Sequence, residues 1–448
     1  MNPQFVTEGE LLPTILQLSV PIILSSLVNT LYNLVDTFWL GKIGPNELAA
    51  ITIVTPLQQM TTSFGAGITA SGAILLTQFI GAKDYKEAKK MLAQLAVYAL
   101  GFSLFLSILA IRFADPILIW LGTDTEIFRL GKSYFTIVMM DLPFLIMIQI
   151  YGGVRQAQGD TKTPFFLNLL GVLINLVLDP LFIITMQWGV AGAAWATLAA
   201  KVPGALLAYW LLSNRKKEVH LNFSAYSYDK ETARKIIQIG LPVASGGALM
   251  QFGFVLMTRS VWQYGPLSVA AYGIGNRINS LVTVPSNALG SATATIVGQN
   301  VGAKKWKRAE KGYKLTMGIA VGFLMVGGII LSQEQVAIRA VSIFTSDKEV
   351  TRLASQYLRI LSIYCFVNGI YNTTVGLFSA TGHTVITMVV DASRLWIFRF
   401  GTLYVFQKML NFGVESIWYS VVWSNALAAI VMYVFYLLGI WKKNKVLE

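Results

Sequence analysis

The chain contains few cysteines, histidines and charged residues, and each shortage excludes a class of function. Its single cysteine, Cys365, allows no disulfide within the chain and no cysteine-based zinc cluster. The two histidines, His220 and His383, are far apart and not at the spacing of metal ligands. Because no nucleophile–base or metal motif is present, we expect neither an enzyme nor a bound cofactor. Only 13% of the residues are charged, whereas a soluble domain carries about a quarter.

Apolar sequence is abundant instead, since 55% of the 448 residues are hydrophobic. Long apolar runs recur along the whole chain, each near the ~20 residues that cross ~30 Å of hydrocarbon. The pattern predicts an all-α integral membrane protein with about twelve transmembrane helices. The predicted spans are approximately 13–40, 48–80, 91–112, 130–151, 164–186, 190–213, 237–262, 268–297, 313–333, 353–376, 384–407 and 416–441.

The net charge of +13 reflects membrane topology rather than a nucleic-acid partner. Lysine and arginine cluster in the short loops after even-numbered spans, for example at 83–90, 215–217 and 304–308. Cytoplasmic loops carry such an excess, so we predict cytoplasmic termini in the inner (plasma) membrane of a bacterial cell. The first ten residues contain no Lys or Arg, so they lack the basic start of a cleaved signal peptide.

An internal repeat is the strongest signal in the sequence. Identical residues coincide at an offset of 221, and after two inserted residues the match continues at an offset of 223. The pairs include Pro21 with Pro242, Gly81 with Gly302, Lys83 with Lys304, Asp124 with Asp347, Tyr134 with Tyr357 and Gly159 with Gly382.

Each repeat holds six predicted spans, an even number, so both repeats enter the membrane from the same side. They are then expected to be related by a pseudo-twofold axis along the membrane normal, with a site between them near the midplane. We predict an N-lobe at 1–217, a cytoplasmic linker at 218–233 and a C-lobe at 234–448.

Polar side chains form a stripe along the first span. Four of them follow i, i+3, i+4 and i+7 spacing and so share one helix face: Asn29, Tyr32, Asn33 and Asp36. A charge at a helix centre costs about 2.5–3.5 kcal/mol in hydrocarbon and by default indicates function. The alternatives are a carboxylate hydrated at the outer helix end for Asp36, and hydrogen bonds between helices for the asparagines.

A second polar face lies on the fifth span, where Asn168, Asn175 and Asp179 precede Pro180. A simpler interpretation is that this Asp-Pro pair ends the helix. The repeat favours function, because Asp179 aligns with Thr402. An architectural role should recur in both repeats, whereas the acidic pair of Asp36 and Asp179 exists only in the first.

The C-terminal repeat carries basic residues inside its spans instead. Arg394 follows Asp391 by three residues, so we expect this pair to neutralise itself. Arg277 either faces the central cavity or points outward. The other two basic residues inside these spans are Arg259 and Arg399.

Several stretches of the chain resemble the multidrug and toxic compound extrusion (MATE) family. They are the first-span sequence VPIILSSLVNTLYNLVDTFWLG, the Gly-Ala-Lys triplets from Gly81 and Gly302, QAQGDTKTP from Gln156, and N-x-x-x-D-P from Asn175. Together with the repeat, the resemblance covers essentially the whole chain. The seventh and tenth spans lack the acidic residues of the NorM-like branch, so the chain is more similar to the DinF-like branch.

The resemblance implies a V-shaped fold of two six-helix lobes that acts as a monomer in the lipid bilayer. Such proteins export small amphipathic, often cationic compounds against an inward gradient of H⁺ or Na⁺. Four residues match positions that hold the coupling ion, and the first three are a possible Na⁺ site: Asp36, Asn175, Asp179 and Thr197. The predicted substrate cavity consists of Tyr32, Asn29, Asn33, Gln149 and Arg277.

The predicted mechanism is antiport. Proton uptake by Asp36 would weaken its hold on a bound cation. Pro21 offers a bending point in the first span, unless it merely marks an early turn, and bending would shrink the N-lobe cavity. Substrate and proton then bind mutually exclusive states.

The main alternative is a lipid-linked oligosaccharide flippase of the same superfamily, because arginines in a cavity would suit its pyrophosphate. Twelve rather than fourteen spans and the acidic first repeat argue against it. A membrane enzyme has no supporting motif, and a passive channel needs no titrating pair in one half. The sequence leaves the choice between H⁺ and Na⁺ open.

Overall fold

The computed structural model describes residues 5–41, 45–120, 125–215, 217–443 and 446. Inside these ranges, the side chain of Asp36 lies outside the described part. The same holds for the side chains at 34, 37, 38, 40, 41, 45, 48, 49, 53, 120 and 225.

Twelve long helical segments, α1 to α12, follow one another along the chain. The first repeat contains α1 (Leu11–Gly41), α2 (Pro45–Gly81), α3 (Tyr85–Arg112), α4 (Thr125–Met140 and Leu142–Ala157), α5 (Lys162–Pro180, continued by a π-helical turn at Leu181–Thr185) and α6 (Gly189–Leu212). The second contains α7 (Lys230–Trp262), α8 (Pro266–Gly302), α9 (Trp306–Ser332), α10 (Lys348–Ile363 and Phe366–Ala380), α11 (Thr384–Ser393, Arg394–Arg399, Phe400–Tyr404 and Val405–Met409, the second and fourth π-helical) and α12 (Glu415–Leu437). Shorter helical elements are Phe5–Glu8, Ala114–Trp120, Phe223–Ala225, Glu334–Ser342 and Ile440–Lys442.

Each predicted span coincides with one of these segments, which confirms the all-helical membrane fold with two six-helix repeats. Among the described residues, eight helices are individually long and apolar enough to cross a membrane. The two parts of α4 and of α10 pass the same test when each pair is taken together. The remaining segments are α8, which carries Asn276, Arg277 and Asn279, and α11, which π-helical turns divide.

Two of the long segments are bent at equivalent places. The two parts of α4 meet at 41° around Asp141, and the two parts of α10 meet at 57° around Tyr364. These residues are 223 positions apart, the offset of the second half of the repeat. The repeat is therefore visible in the backbone as well as in the sequence.

The ends of α2 and α8 also match. Lys83 and Lys304 both adopt the left-handed conformation, with φ of 61° and 59°. The next residue then donates its N–H five residues back, from Asp84 to Phe79 O at 2.9 Å and from Lys305 to Asn300 O at 2.7 Å. This cap satisfies carbonyls at the end of a helix. The duplicated Gly-Ala-Lys triplet thus forms the same helix end twice.

The chain forms two compact units. The N-terminal unit is Leu24–Ala248, and the C-terminal unit is the described part of Asn2–Ile23 and Leu249–Glu448. Consequently α1 begins in the C-terminal unit and continues in the N-terminal unit, whereas α7 does the reverse. The lobe boundaries inferred from the repeat, at 217 and 234, stay a prediction.

Each unit has its own apolar core. In the N-terminal unit, buried residues of α2, α4, α6 and the short helix Ala114–Trp120 pack together, among them Val54, Leu118, Phe135 and Ala194. In the C-terminal unit, α8 and α10 approach closely where Gly290 faces Gly376. A Cβ on Gly376 would lie 2.3 Å from Gly290 O, so this crossing requires glycine.

Candidate functional site

A cavity of about 210 Å³ lies inside the N-terminal unit, between α1, α4, α5 and α6. One wall is apolar and includes Leu145, Ile148 and Leu167. Its volume is below the ~300 Å³ typical of the smallest drug-sized pockets, so it suits an ion, water or one part of a larger amphipathic molecule. The polar residues that line it are Asn29, Tyr32, Asn168, Asn175, Thr197 and Lys201.

Hydrogen bonds join α1 to α5 and α6 across this cavity. The Tyr32 hydroxyl lies 3.3 Å from Thr197 Oγ1, and Thr197 donates to Ala193 O at 3.1 Å. Asn168 Nδ2 donates to Asn29 Oδ1 at 3.1 Å. The polar stripe of α1 therefore meets the polar face of α5.

Asn175 and Asp179 are the most deeply buried polar residues of α5, with 3% and 0% of their surface exposed. Neither polar atom of the Asn175 side chain has a hydrogen-bond partner among the described residues. Leaving such a group unpaired costs about 1–3 kcal/mol, so Asn175 is a candidate ligand for a bound ion or water. Asp179 follows one turn later, before Pro180 and the π-helical turn. Asp36 was predicted to share this site, and its side chain lies outside the described part.

A buried ion pair forms part of the same cavity wall. Lys201 Nζ lies 2.5 Å from Asp141 Oδ2, and the two side chains are 23% and 2% exposed. Asp141 stands at the bend of α4, and Lys201 follows Thr197 by one turn on α6. The pair was missed in the sequence, although two isolated charges inside predicted spans were a usable signal, since buried charges require partners.

The ion pair ties the bend of α4 to α6. A lysine has three N–H donors, and within the described ranges Asp141 is the only hydrogen-bond partner of Lys201. Because Lys201 also lines the cavity, it places a positive charge there that Asp141 compensates. The pair therefore contributes both to the shape and to the charge balance of the site.

The oxygen atoms at this site suit a small hard ion. Tyr32 and Thr197 offer hydroxyl oxygens and Asn175 offers an unpartnered amide oxygen. Asp179 is buried one turn further along α5 and is not among the residues that line the cavity. Oxygen ligands of this kind bind hard cations, and a buried carboxylate can also accept a proton. These oxygen groups are compatible with either Na⁺ or H⁺. Among the described residues, no three His, Cys, Asp or Glu side chains group as a metal site.

Three residues predicted for the substrate cavity lie elsewhere. Asn33 is exposed on α1. Gln149 is half-buried on α4, where its Oε1 accepts from Thr69 Oγ1 at 3.2 Å. Arg277 is exposed on α8, in the C-terminal unit. None of the three lines the cavity of the N-terminal unit, and their roles stay predictions.

Two of the four arginines inside the spans of the C-terminal unit, Arg394 and Arg399, are engaged within that unit, whereas Arg259 and Arg277 are exposed. Arg394 Nη2 lies 3.2 Å from Asp391 Oδ1, which confirms the predicted self-neutralising pair. The same guanidinium lies 4.6 Å from the centre of the Tyr371 ring, a favourable cation–π distance. Arg399 is 4% exposed and donates to Ser424 Oγ at 3.0 Å.

Pro21 is buried inside α1, well after the first residue of that helix, Leu11. The alternative that Pro21 marks an early turn is therefore wrong. The helix enters the N-terminal unit at Leu24, three residues beyond the proline. Pro21 removes one backbone hydrogen bond from α1 near this boundary.

Twelve helical segments in two repeats, with buried charges and a polar cavity inside them, define a multi-pass membrane transporter. Residues 21–181 and 242–405 match the MatE family model, one match in each repeat. The chain therefore belongs to the MatE (MATE) family, whose members are transporters and not enzymes.

Known proteins resemble the chain over its full length. It is 24% identical over 435 residues to the probable multidrug resistance protein YoeA of Bacillus subtilis (strain 168), covering 95% of this chain and 93% of that one. It is 23% identical over 427 residues to the multidrug export protein MepA of Staphylococcus aureus (strain NCTC 8325 / PS 47), covering 94% and 92%. A solved structure of an outward-facing multidrug resistance MATE family transporter superposes with a TM-score of 0.92 at 25% identity, over 99% of both chains.

Proposed function

We propose that this chain is a multidrug efflux antiporter that exports amphipathic cationic compounds in exchange for inward H⁺ or Na⁺. The observation that carries the proposal is the burial of Asn175 and Asp179 one turn apart on α5, with Asn175 in the wall of a cavity that Tyr32 and Thr197 also line. Names given to relatives, which refer to multidrug resistance and export, support the same activity.

The charge balance of the N-terminal unit favours a cationic substrate. Lys201 is compensated by Asp141, so Asp179, together with Asp36 from α1, supplies the net negative charge. The apolar wall around Ile148 suits the apolar part of an amphipathic compound. A proton or Na⁺ that binds the same carboxylates weakens their hold on the cationic group. Ion and substrate therefore compete for one set of charges, which is the basis of coupling.

The energy for export comes from the inward movement of the coupling ion. The membrane potential contributes ~2.3 kcal/mol per charge per 100 mV. Pro21 supplies the point at which α1 bends when the carboxylates are neutralised, and the bent helix reduces the space available to the substrate. Each ligand then stabilises a different conformation, as antiport requires.

The proposal is tested by efflux of a fluorescent cation from vesicles under an imposed pH gradient or an imposed Na⁺ gradient, applied separately. We expect one of the two gradients to drive export. Asp36→Asn should abolish it with folding intact, since asparagine has the shape of a protonated carboxyl group, and Asp179→Asn should impair it strongly. Export by Asp36→Asn at the wild-type rate would contradict the coupling role.

A matched control separates loss of coupling from a general effect of charge. Asp115 lies on the short helix Ala114–Trp120, where it forms an exposed pair with Lys132 at 2.7 Å. Asp115→Asn removes the same charge away from the cavity and should export at the wild-type rate. If neither gradient drives cation export and a lipid-linked oligosaccharide is translocated instead, the flippase alternative holds.

A further inference from the structure

A second cavity of the N-terminal unit is a long apolar groove of about 510 Å³. It runs between α2, α3 and the first half of α7, and we refer to it as the apolar groove. Its wall is made by Phe64 and Ile68 of α2, Phe102 of α3, and Ile237 and Leu241 of α7. Ile237 and Leu241 are 58% and 56% exposed, so the groove opens to the outside of the helices.

The length of the groove corresponds to one leaflet of a bilayer. Along α7 it extends from Ala233 to Ala244, which is ~16 Å at 1.5 Å per residue. Half of the ~30 Å hydrocarbon core is nearly the same length. An extended acyl chain therefore fits the groove from end to end, whereas a compact apolar molecule would leave part of it unfilled.

Close contacts with α2 and α3 hold α7 in place along the groove. A Cβ on Gly67 would lie 2.6 Å from Gly240 O, so α7 packs directly against the backbone of α2. At the other end, Gln94 Nε2 donates to Tyr98 Oη at 2.9 Å and to Asp229 O at 2.8 Å. The groove is thus a formed site and not a gap between loosely packed helices.

Basic residues stand at the end where α7 begins. Lys230, Arg234 and Ile237 are spaced i, i+4 and i+7, so both cations share the helix face that lines the groove. Both side chains are exposed, and within the described ranges neither has a carboxylate partner. On α3, Lys86 and Lys89 are likewise without a carboxylate partner in the part of the chain that the structure describes.

The acidic residues at this end are already engaged. Glu87 pairs with Lys90 at 2.7 Å, and Glu231 pairs with Lys235 at 3.1 Å. Asp229 accepts hydrogen bonds from Thr232 at the start of α7. Lys230 and Arg234, the cations without a carboxylate partner in the described ranges, therefore stand at the same end of the groove as Tyr228, the linker residue that lines it.

The equivalent positions of the other repeat lack this combination. At the offset of 221, Lys230 and Arg234 correspond to Gly9 and Pro13, which carry no charge. Ile68 corresponds to Leu289, which is buried at 3% exposure in a cluster with the start of α1. The charged groove is consequently a feature of the N-terminal unit and not a by-product of the shared fold.

We propose that the apolar groove binds an anionic glycerophospholipid, with an acyl chain along α7 and its phosphate on Lys230 and Arg234. Basic pockets between transmembrane helices bind anionic headgroups, with about 1 kcal/mol from each Lys or Arg. The acyl chain supplies the apolar contact and the two cations supply the selection for an anionic lipid over a zwitterionic one. The bound lipid holds the start of α7 against α2 and α3.

The test is lipid retention by the purified full chain, measured by native mass spectrometry after addition of dioleoyl phosphatidylglycerol or dioleoyl phosphatidylcholine. The wild type should retain the anionic phosphatidylglycerol in preference to the zwitterionic phosphatidylcholine. Lys230→Gln/Arg234→Gln should weaken its retention by about tenfold or more, from two lost phosphate contacts. Ala233→Trp, which fills the groove and keeps both cations, should also reduce retention.

The matched control is Lys307→Gln/Lys311→Gln, which removes two exposed charges from α9 of the C-terminal unit and should leave retention unchanged. Equal retention of both lipids by the wild type would overturn the proposal, as would equal losses in the two double variants. Competition by soluble glycerol phosphate as strong as that by the lipid would also overturn it, because the acyl chain would then contribute nothing. The measurement does not depend on transport.

Discussion

The two repeats have the same backbone plan, but they fill the space beside their fifth helix differently. In the N-terminal unit, Gly171 of α5 leaves room for the cavity. At the offset of 223, the C-terminal unit has Arg394 in this place. Arg394 occupies the space with its guanidinium over Tyr371 and in contact with Asp391. At this position of the repeat, a glycine beside a cavity in one unit thus corresponds to an arginine that is neutralised within the other.

Neighbouring positions reinforce this difference. Tyr32 lines the cavity on α1, and its equivalent on α7, at the offset of 221, is Gly253. A Cβ on Gly253 would lie 2.0 Å from Leu395 Cδ2, so Leu395 takes the place of a larger side chain there. Asn29 corresponds to Met250. Of the two α1 side chains that line the cavity, Tyr32 is thus replaced by a glycine whose space Leu395 fills, and Asn29 is replaced by a methionine.

The largest effect is expected from closing the cavity of the N-terminal unit. A Cβ on Gly171 would lie 4.0 Å from Ala200 O, so a first methyl group fits and a longer side chain must enter the cavity. Gly171→Leu should lower efflux at least about tenfold, since overpacking a site costs roughly 1–3 kcal/mol. The chain should still elute as a folded protein. Gly152→Leu is the control, because a Cβ there meets nothing within 4 Å. Equal losses in both variants would show that the cavity is not the transport site.

Breaking the ion pair should have the next largest effect. Lys201→Met leaves Asp141, 2% exposed, without its cation, and this should lower the free energy of unfolding by about 3–5 kcal/mol. Arg399 has neutral partners, Ser424 Oγ and Asn425 Oδ1, so Arg399→Met should cost less, about 1–3 kcal/mol. Denaturant unfolding in detergent measures both.

A double variant distinguishes loss of the pair from loss of lysine packing. Lys201→Met/Asp141→Asn removes both charges and should recover most of the stability that Lys201→Met alone loses. If the double variant loses as much free energy of unfolding as the two single variants added together, the two side chains do not act as a pair.

The two prolines provide a comparison within one chain. Pro21 lies in α1 and Pro242 in α7, at the offset of 221. Pro21→Ala restores a backbone hydrogen bond and stiffens α1, so efflux should slow while substrate affinity stays near the wild-type value. Pro242→Ala should matter less, because α7 has Met257 where α1 has Asp36. Efflux rates and equilibrium substrate binding separate the two quantities. Equal or reversed effects of the two substitutions on efflux would show that bending of α1 is not the conformational switch.

All twelve spans could be predicted, because the position of a span depends mainly on the free energy of transferring its side chains from water into hydrocarbon. Hydropathy carries no information on backbone bends, and so the break at Asp141 could not be predicted. The cavity was predictable in part: Asn29, Tyr32, Asn175 and Thr197 meet there because helical spacing places polar residues on defined faces. The charge of Lys201 inside a predicted span indicated that it needs an acidic partner, but not that the partner is Asp141. Pairing between distant helices depends on packing that the spacing within one helix does not encode.

The smallest expected effect is a pH-dependent change in hydrogen exchange at the start of α7, compared with the start of α1. The short helix Phe5–Glu8, which precedes α1, is held in the C-terminal unit by hydrogen bonds to its backbone carbonyls, such as that from Lys305 Nζ to Thr7 O at 3.1 Å. Lys305 also lies 3.7 Å from the exposed carboxylate of Glu8. The start of α7 is held by Asp229, whose carboxylate accepts from the Thr232 N–H at 2.8 Å. The hydrogen bond from the Thr232 side chain, followed by that N–H, lowers the pKa of Asp229 below its ordinary value of 3.8.

A carboxyl group with a lowered pKa stabilises the folded state fully above its unfolded pKa, and this contribution is lost as the pH falls through the folded pKa. Hydrogen exchange at the amides of Thr232 and Ala233 should therefore accelerate a few-fold, relative to the start of α1, when the pH falls below 3.8. Asp229→Asn caps the helix without titrating. In this variant the amides of Thr232 and Ala233 should therefore keep the same relative protection above and below pH 3.8. If wild type and Asp229→Asn share one pH profile, the start of α7 is held by Gln94 and its other contacts, and the difference between the two helix starts does not depend on charge.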